Sequence, residues 1–155
     1  MHPTVERVVT VLRAAGVHGE VRELQDSSRT AVQAAEALGC EVGAIASSLL
    51  FMAEAVPILV LTSRAHRVDE DRVAQLTAST SFRKASAAEV REHTGFAIGG
   101  VPPAGHPLPL RTYVDQALAV HPVLWAAAGH PHAVFATTFT ELVALTGGEP
   151  AAVGD

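Results

Sequence analysis

Cysteine is almost missing from this chain. Cys40 is the only one, so no intrachain disulfide can form and a cysteine-based zinc site has too few ligands. Lysine is equally scarce: Lys84 stands alone beside ten scattered arginines, with Arg64 and Arg67, or Arg83 next to Lys84, as the nearest approach to basic spots. With a formal net charge of −5, the chain lacks the concentrated positive charge needed to track a nucleic-acid backbone, and no DNA partner is expected. A small footprint on a nucleic-acid end is still compatible. Long hydrophobic runs are missing too. A bilayer span needs ~18 to 20 apolar residues, whereas the strongest run, Val56 to Thr62, is only strand length. The first residues meet acidic Glu6 without the basic stretch and apolar core of a signal peptide. A cytoplasmic protein without a membrane partner is expected.

The 155 residues are 48% hydrophobic and 17% charged, which suits one globular domain with a full core. The domain is placed at residues 1–150, with 151–155 as a frayed tail. Val5, Val8, Val9 and Leu12 at helical spacing, stopped by Gly16, predict a helix over Thr4–Ala15. A short strand is expected in Val17–Leu24. Thr30 with Gln33 and Ser86 with Glu89 have capping-box spacing, and Gly39 ends the first of these helices after Leu38. The apolar runs Ala44–Met52 and Val56–Thr62, separated by Ala53, Glu54 and Ala55, predict a core hairpin. Asp69 is placed to cap a helix running to Leu76. Further strands are expected at Phe82–Ala85, Leu110–Val114, Val123–Ala128 and Ala133–Thr137, and Thr138 with Glu141 opens a last helix ending near Gly147. This mixture lacks strict βαβ order. It predicts an α+β domain with a curved, barrel-like sheet, mixed or mainly antiparallel, flanked by helices.

Gly99-Gly100-Val101-Pro102-Pro103 sets backbone freedom against backbone rigidity within five residues. Glycine reaches positive φ, and proline fixes φ without offering an N–H. A stiff loop with outward N–H groups can hold a carbonyl oxygen on which negative charge develops. A plain turn between strands would use the same residues. No G-x-S-x-G nucleophile elbow is present. His130-Pro131-His132, with His106 nearby, admits a two-histidine metal grip on a strand, but there is no H-E-x-x-H motif and no third ligand at a telling spacing. Neither metal nor cofactor is expected.

Ile45 to Phe51 in a strand, Thr94-Gly95-Phe96-Ala97-Ile98 leading into Gly99–Pro103, Asp115 in a strand, and Gly129-His130 closing another follow one order. That order resembles the YbaK and prolyl-tRNA-synthetase-associated editing family over roughly Thr30 to Gly147, most specifically in the family's tGy-x-iGGv-x-P stretch at Thr94–Pro103. The resemblance implies an aminoacyl-tRNA deacylase acting in trans on the ester of a mischarged tRNA, with misacylated tRNA-Pro as one substrate it admits. The implied partners are the acceptor end of an aminoacyl-tRNA and a synthetase. It implies a pocket for the terminal adenosine and its amino acid, with backbone amides of Gly99, Gly100, Val101 and the Pro103 segment at the scissile carbonyl and no nucleophilic side chain. Ser47, Ser48, Ile98, Asp115, Gly129 and His130 are the candidate substrate contacts. His130 matches a variable pocket position and equally fits a strand cap; Asp115 equally fits a carboxylate satisfying local backbone donors. The family's strand motif resembles I-x-K-[ST]-L, whereas this chain reads Ile45-Ala46-Ser47-Ser48-Leu49, with a hydroxyl in place of an ammonium. That departure keeps open a non-catalytic module that binds a tRNA end, a nucleotide or a protein on the same fold.

Overall fold

The computed structural model describes residues 2–25 and 30–154. Among these residues the helices are α1 (Pro3–Ala14), α2 (Ala31–Leu38), α3 (Glu70–Leu76), α4 (Ala87–Thr94) and α5 (Phe139–Thr146). The strands are β1 (Val21–Glu23), β2 (Ile45–Ala53), β3 (Val56–Ser63), β4 (Phe82–Lys84), β5 (Arg111–Asp115), β6 (Leu124–His130), β7 (Ala133–Thr137) and β8 (Glu149–Ala151). Short 3-10 turns at Val42–Ala44 and Gln116–Val120 carry no periodic signal and escape the sequence pattern. No helix of the described residues is long and apolar enough to cross a membrane.

Local chemistry explains most boundaries. Thr30 and Ser86 close reciprocal capping boxes with Gln33 and Glu89, and Gly39 and Gly95 end those helices in the left-handed region at φ 70° and 80°. At α5 the box is only half made. Thr138 accepts from the Glu141 N–H, but the Glu141 carboxylate takes the Thr137 hydroxyl instead.

The strands form one mixed sheet in the order β1-β7-β6-β2-β3-β5-β8, with β4 also paired to β2. It does not close on itself, so the barrel-like expectation becomes an open sheet. Its centre is the β2–β3 hairpin, whose antiparallel register runs from Ala46↔Ser63 to Ala53↔Val56 across a two-residue turn. β3 is buried on both faces, which explains its unbroken apolar run. Leu59 and Leu61 pack with Val5, Val8 and Leu12 of α1, Val90 of α4 and Leu142 of α5 in the larger core. Ile58 and Val60 pack on the other face with Phe51, Val73 and Tyr113.

The expected frayed tail is corrected up to Gly154; Asp155 lies outside the described residues. β8 pairs in parallel with β5, through Tyr113↔Glu149 to Asp115↔Ala151. Val153 has 0% exposure, and its carbonyl accepts the Asp69 N–H at 2.7 Å. Burial against the second core holds a segment whose composition alone suggests none. Val153→Ala is expected to cost about 1 to 3 kcal/mol through lost apolar contact and a residual cavity, measurable by urea unfolding; an unchanged midpoint would show that the tail contributes nothing.

Candidate functional site

The site begins with a gap in hydrogen bonding. β3 covers one edge of β2 from Ala46 to Ala53. On the other edge β6 pairs only at Ile45 and Ala46, and β4 only at Phe51 to Ala53. Successive residues of a strand turn their backbone groups to opposite edges. The Arg64 N–H donates to the Ile45 carbonyl on the β3 side and the Ala85 N–H to the Leu50 carbonyl on the β4 side, each at 3.0 Å. Odd-numbered residues of β2 therefore serve β3, and Ser48 turns its N–H and C=O toward the interval that neither β6 nor β4 fills.

A cavity of about 270 Å³ opens at that interval. Its walls include Ser47 to Leu50 of β2, Trp125 and Ala127 of β6, Ala31 and Ala34 of α2, and Ile98, Gly99 and Val101 of the glycine-proline loop. Arg64 and Lys84 also line it, and no carboxylate does so among the described residues. The Ser48 hydroxyl is buried and has no hydrogen-bond partner among the described residues. A neighbouring polar contact is made at Ser47, whose Oγ accepts from an Arg64 guanidinium nitrogen at 3.1 Å.

The loop is held from both ends. Thr94 Oγ1 donates to the Val90 carbonyl at 2.6 Å and accepts the Phe96 N–H at 3.1 Å, fixing the exit from α4. Phe96 is buried, with the Arg7 guanidinium 4.9 Å from its ring centroid. The Gly100 N–H then donates to the Ala97 carbonyl at 3.0 Å, closing a turn whose third residue, Gly99, has φ +86°; an L side chain is strained there. A Cβ on Gly100 would lie 3.0 Å from the backbone of His130. Downstream, the His106 Nε2–H donates to the Pro102 carbonyl at 2.7 Å. Burial lowers the pKa of His106, partly opposed by this bond.

The sequence candidates separate in space. Ser47, Ser48, Ile98, Gly99 and Val101 meet at the cavity, and Ile98 stands 59% exposed at its edge. Among the described residues the Gly99 and Val101 N–H groups donate to no other group. Gly100 is withdrawn from the proposed donors because its N–H is committed to the turn. Pro103 is buried and faces a second cavity, of about 220 Å³, with His106 and Leu110.

Asp115 and Gly129 have structural surroundings. Asp115 is 1% exposed and off the cavity wall; its Oδ1 accepts the Ala117 N–H at 3.0 Å, and its Oδ2 the Ser63 N–H at 2.9 Å and the His66 ring nitrogen at 2.5 Å. This carboxylate ties β3 to the end of β5. Gly129, at φ +100° in the β6–β7 bulge, would place a Cβ 2.8 Å from Val8 and 2.9 Å from the Thr4 carbonyl. It lets α1 approach β6. His130 packs against the rings of His2 and His132, at centroid distances of 4.9 and 5.7 Å, while its neighbours Ala127 and Pro131 reach the cavity wall. No group of three or more potential metal ligands is assembled among the described residues. Arg64, Trp125 and Pro131 are cavity residues that the sequence reading did not select. Only a paired register for β2 with β3 and β6 would have revealed them.

With this geometry defined, relatives of the chain are informative. Residues 25–145 match the family described as the aminoacyl-tRNA editing domain. The chain is 31% identical over 123 residues to the uncharacterized protein YwhH of Bacillus subtilis (strain 168), covering 79% of this chain and 78% of YwhH. It is 34% identical over 119 residues to a proline–tRNA ligase of Bacillus licheniformis, covering 74% of this chain but only 20% of the ligase. A crystal structure of a candidate trans-editing enzyme for prolyl tRNA synthetase superposes with a TM-score of 0.95 at 45% identity, covering 100% of this chain and 99% of that one. The chain belongs to the aminoacyl-tRNA editing domain family.

Proposed function

We propose that the chain is an aminoacyl-tRNA deacylase that hydrolyses the ester of a mischarged tRNA in trans, in the cytoplasm, where tRNA is charged. One observation carries this reading: two backbone N–H groups, at Gly99 and Val101, that donate to nothing among the described residues lie on a turn-bound loop at the wall of a cavity. When water attacks an ester, its carbonyl oxygen gains negative charge. Fixed amides stabilise that charge with little reorganisation, each worth about 2.7 to 4 kcal/mol where such a donor has been removed from other enzymes. The attacking water is held by the substrate's own ribose hydroxyl, so no nucleophilic side chain is needed. Misacylated tRNA-Pro is the substrate to test first, because the superposed structure is named for prolyl tRNA synthetase.

Ser48 supplies selectivity in this reading. A buried hydroxyl without a partner costs about 1 to 3 kcal/mol, and a ligand with a polar atom near Ser48 removes that cost. A small or medium acyl group suits the apolar walls around it, while one methylene changes discrimination by only about 1 to 3 kcal/mol.

Incubation with a panel of mischarged tRNAs should release free amino acid from at least one small acyl ester at a rate above spontaneous hydrolysis. Binding across the panel without release would instead establish the non-catalytic module that Ser47 leaves open. Gly100→Ala is expected to shift the loop against His130 and lower kcat by about a hundredfold, with folding checked by circular dichroism; unchanged kcat in a folded variant would remove the loop from catalysis. Ser48→Ala should leave the free protein as stable or raise stability by about 1 kcal/mol while weakening discrimination among acyl groups in the same panel. A marked loss of stability would show that the hydroxyl is already satisfied.

A further inference from the structure

We propose that Arg64, steadied by Ser47, is the anion-binding side chain of the cavity and takes a phosphodiester of the tRNA acceptor strand, an inference that rests on the deacylase reading. Thr62 lies opposite Ser47 in the β2–β3 ladder, so Arg64, two residues further on, is the diagonal neighbour on the same face. Its N–H continues the ladder to the Ile45 carbonyl, and one guanidinium nitrogen donates to Ser47 Oγ at 3.1 Å. The hydroxyl orients the planar fork without neutralising it.

Two other arginines of the chain are held by carboxylates. Arg83 is clamped by Glu89 through bonds of 2.7 and 2.8 Å, and Arg22 is bound by Glu20 at 3.0 and 3.3 Å. Arg64 has no carboxylate partner among the described residues, and the cavity wall it joins carries a second cation, Lys84, also without one. A chain of net charge −5 thus places two exposed cations, without carboxylate partners among the described residues, at the wall of one concave, largely apolar cavity, where like charges add to one local positive potential. Arg64 is the stronger grip of the two, because an oriented guanidinium matches the two oxygens of a phosphate, whereas Lys84 offers a point charge on a flexible stem.

Substrate chemistry then decides which anion is bound. In an aminoacyl ester of a small, uncharged amino acid the carboxyl group is esterified and the α-amino group is neutral or positive, so the aminoacyl part has no negative charge. Only the phosphodiesters leading to the terminal nucleotide do.

The test measures binding of the trinucleotide cytidylyl-cytidylyl-adenosine and of the same trinucleotide with uncharged methylphosphonate linkages, by calorimetry or NMR titration. The wild type should prefer the phosphodiester form by about ten- to a hundredfold, the range for hydrogen bonds to charged groups. Arg64→Gln should abolish this preference, Lys84→Gln should reduce it less, and Ser47→Lys added to Arg64→Gln should restore it by returning a cation to the same place. Equal binding of both trinucleotides by the wild type, or a preference that survives Arg64→Gln, overturns the proposal. Turnover is scored separately. Phosphodiester preference without hydrolysis of any mischarged tRNA would remove the deacylase reading and leave the Arg64 site standing, while hydrolysis without preference would do the reverse.

Discussion

The unpaired interval on one edge of β2 is the constraint on which the site depends. Two strands share that edge: β6 takes its beginning, β4 its end, and among the described residues no strand pairs with those between. Buried backbone groups normally find partners. Here the Ser48 hydroxyl has no partner among the described residues, and the cavity opens where neither β6 nor β4 pairs with β2.

Rigid neighbours make the interval usable. The hairpin partner β3 is buried on both faces and holds β2 along its length, while the glycine-proline loop is pinned by Thr94 upstream and His106 downstream. An open edge on a mobile strand would invite pairing with another chain. Recessed between two strands and bordered by the loop, the same edge opens instead on a cavity of about 270 Å³. Preorganised amides beside it cost little to use, which is the condition under which electrostatic stabilisation of an oxyanion is effective.

Charge follows the same division of labour. Most ionic contacts of the described residues lie on the surface and hold local geometry, such as Arg83 with Glu89 at the start of α4. The buried Asp115 carboxylate serves the fold, joining β3, β5 and His66. Arg64 and Lys84 of the cavity wall take no part in these pairings among the described residues.

Helix starts and stops, the central hairpin and the stiff loop were legible from sequence alone, because each is set by neighbours within a few residues: Thr30 with Gln33, Ser86 with Glu89, Gly95 after Thr94. The tight turn within the loop was legible for the same reason. Which groups face the cavity was decided only by tertiary structure. Gly100 spends its N–H on Ala97, Asp115 turns into the fold, Gly129 makes room for α1, and Arg64 reaches Ser47 across a ladder whose register no local pattern encodes. Even the burial of Val153 required β8 to find β5 and a core to cover. Capping and turn preferences act over one or two turns of chain, whereas strand order and side-chain destination are fixed by long-range pairing and burial.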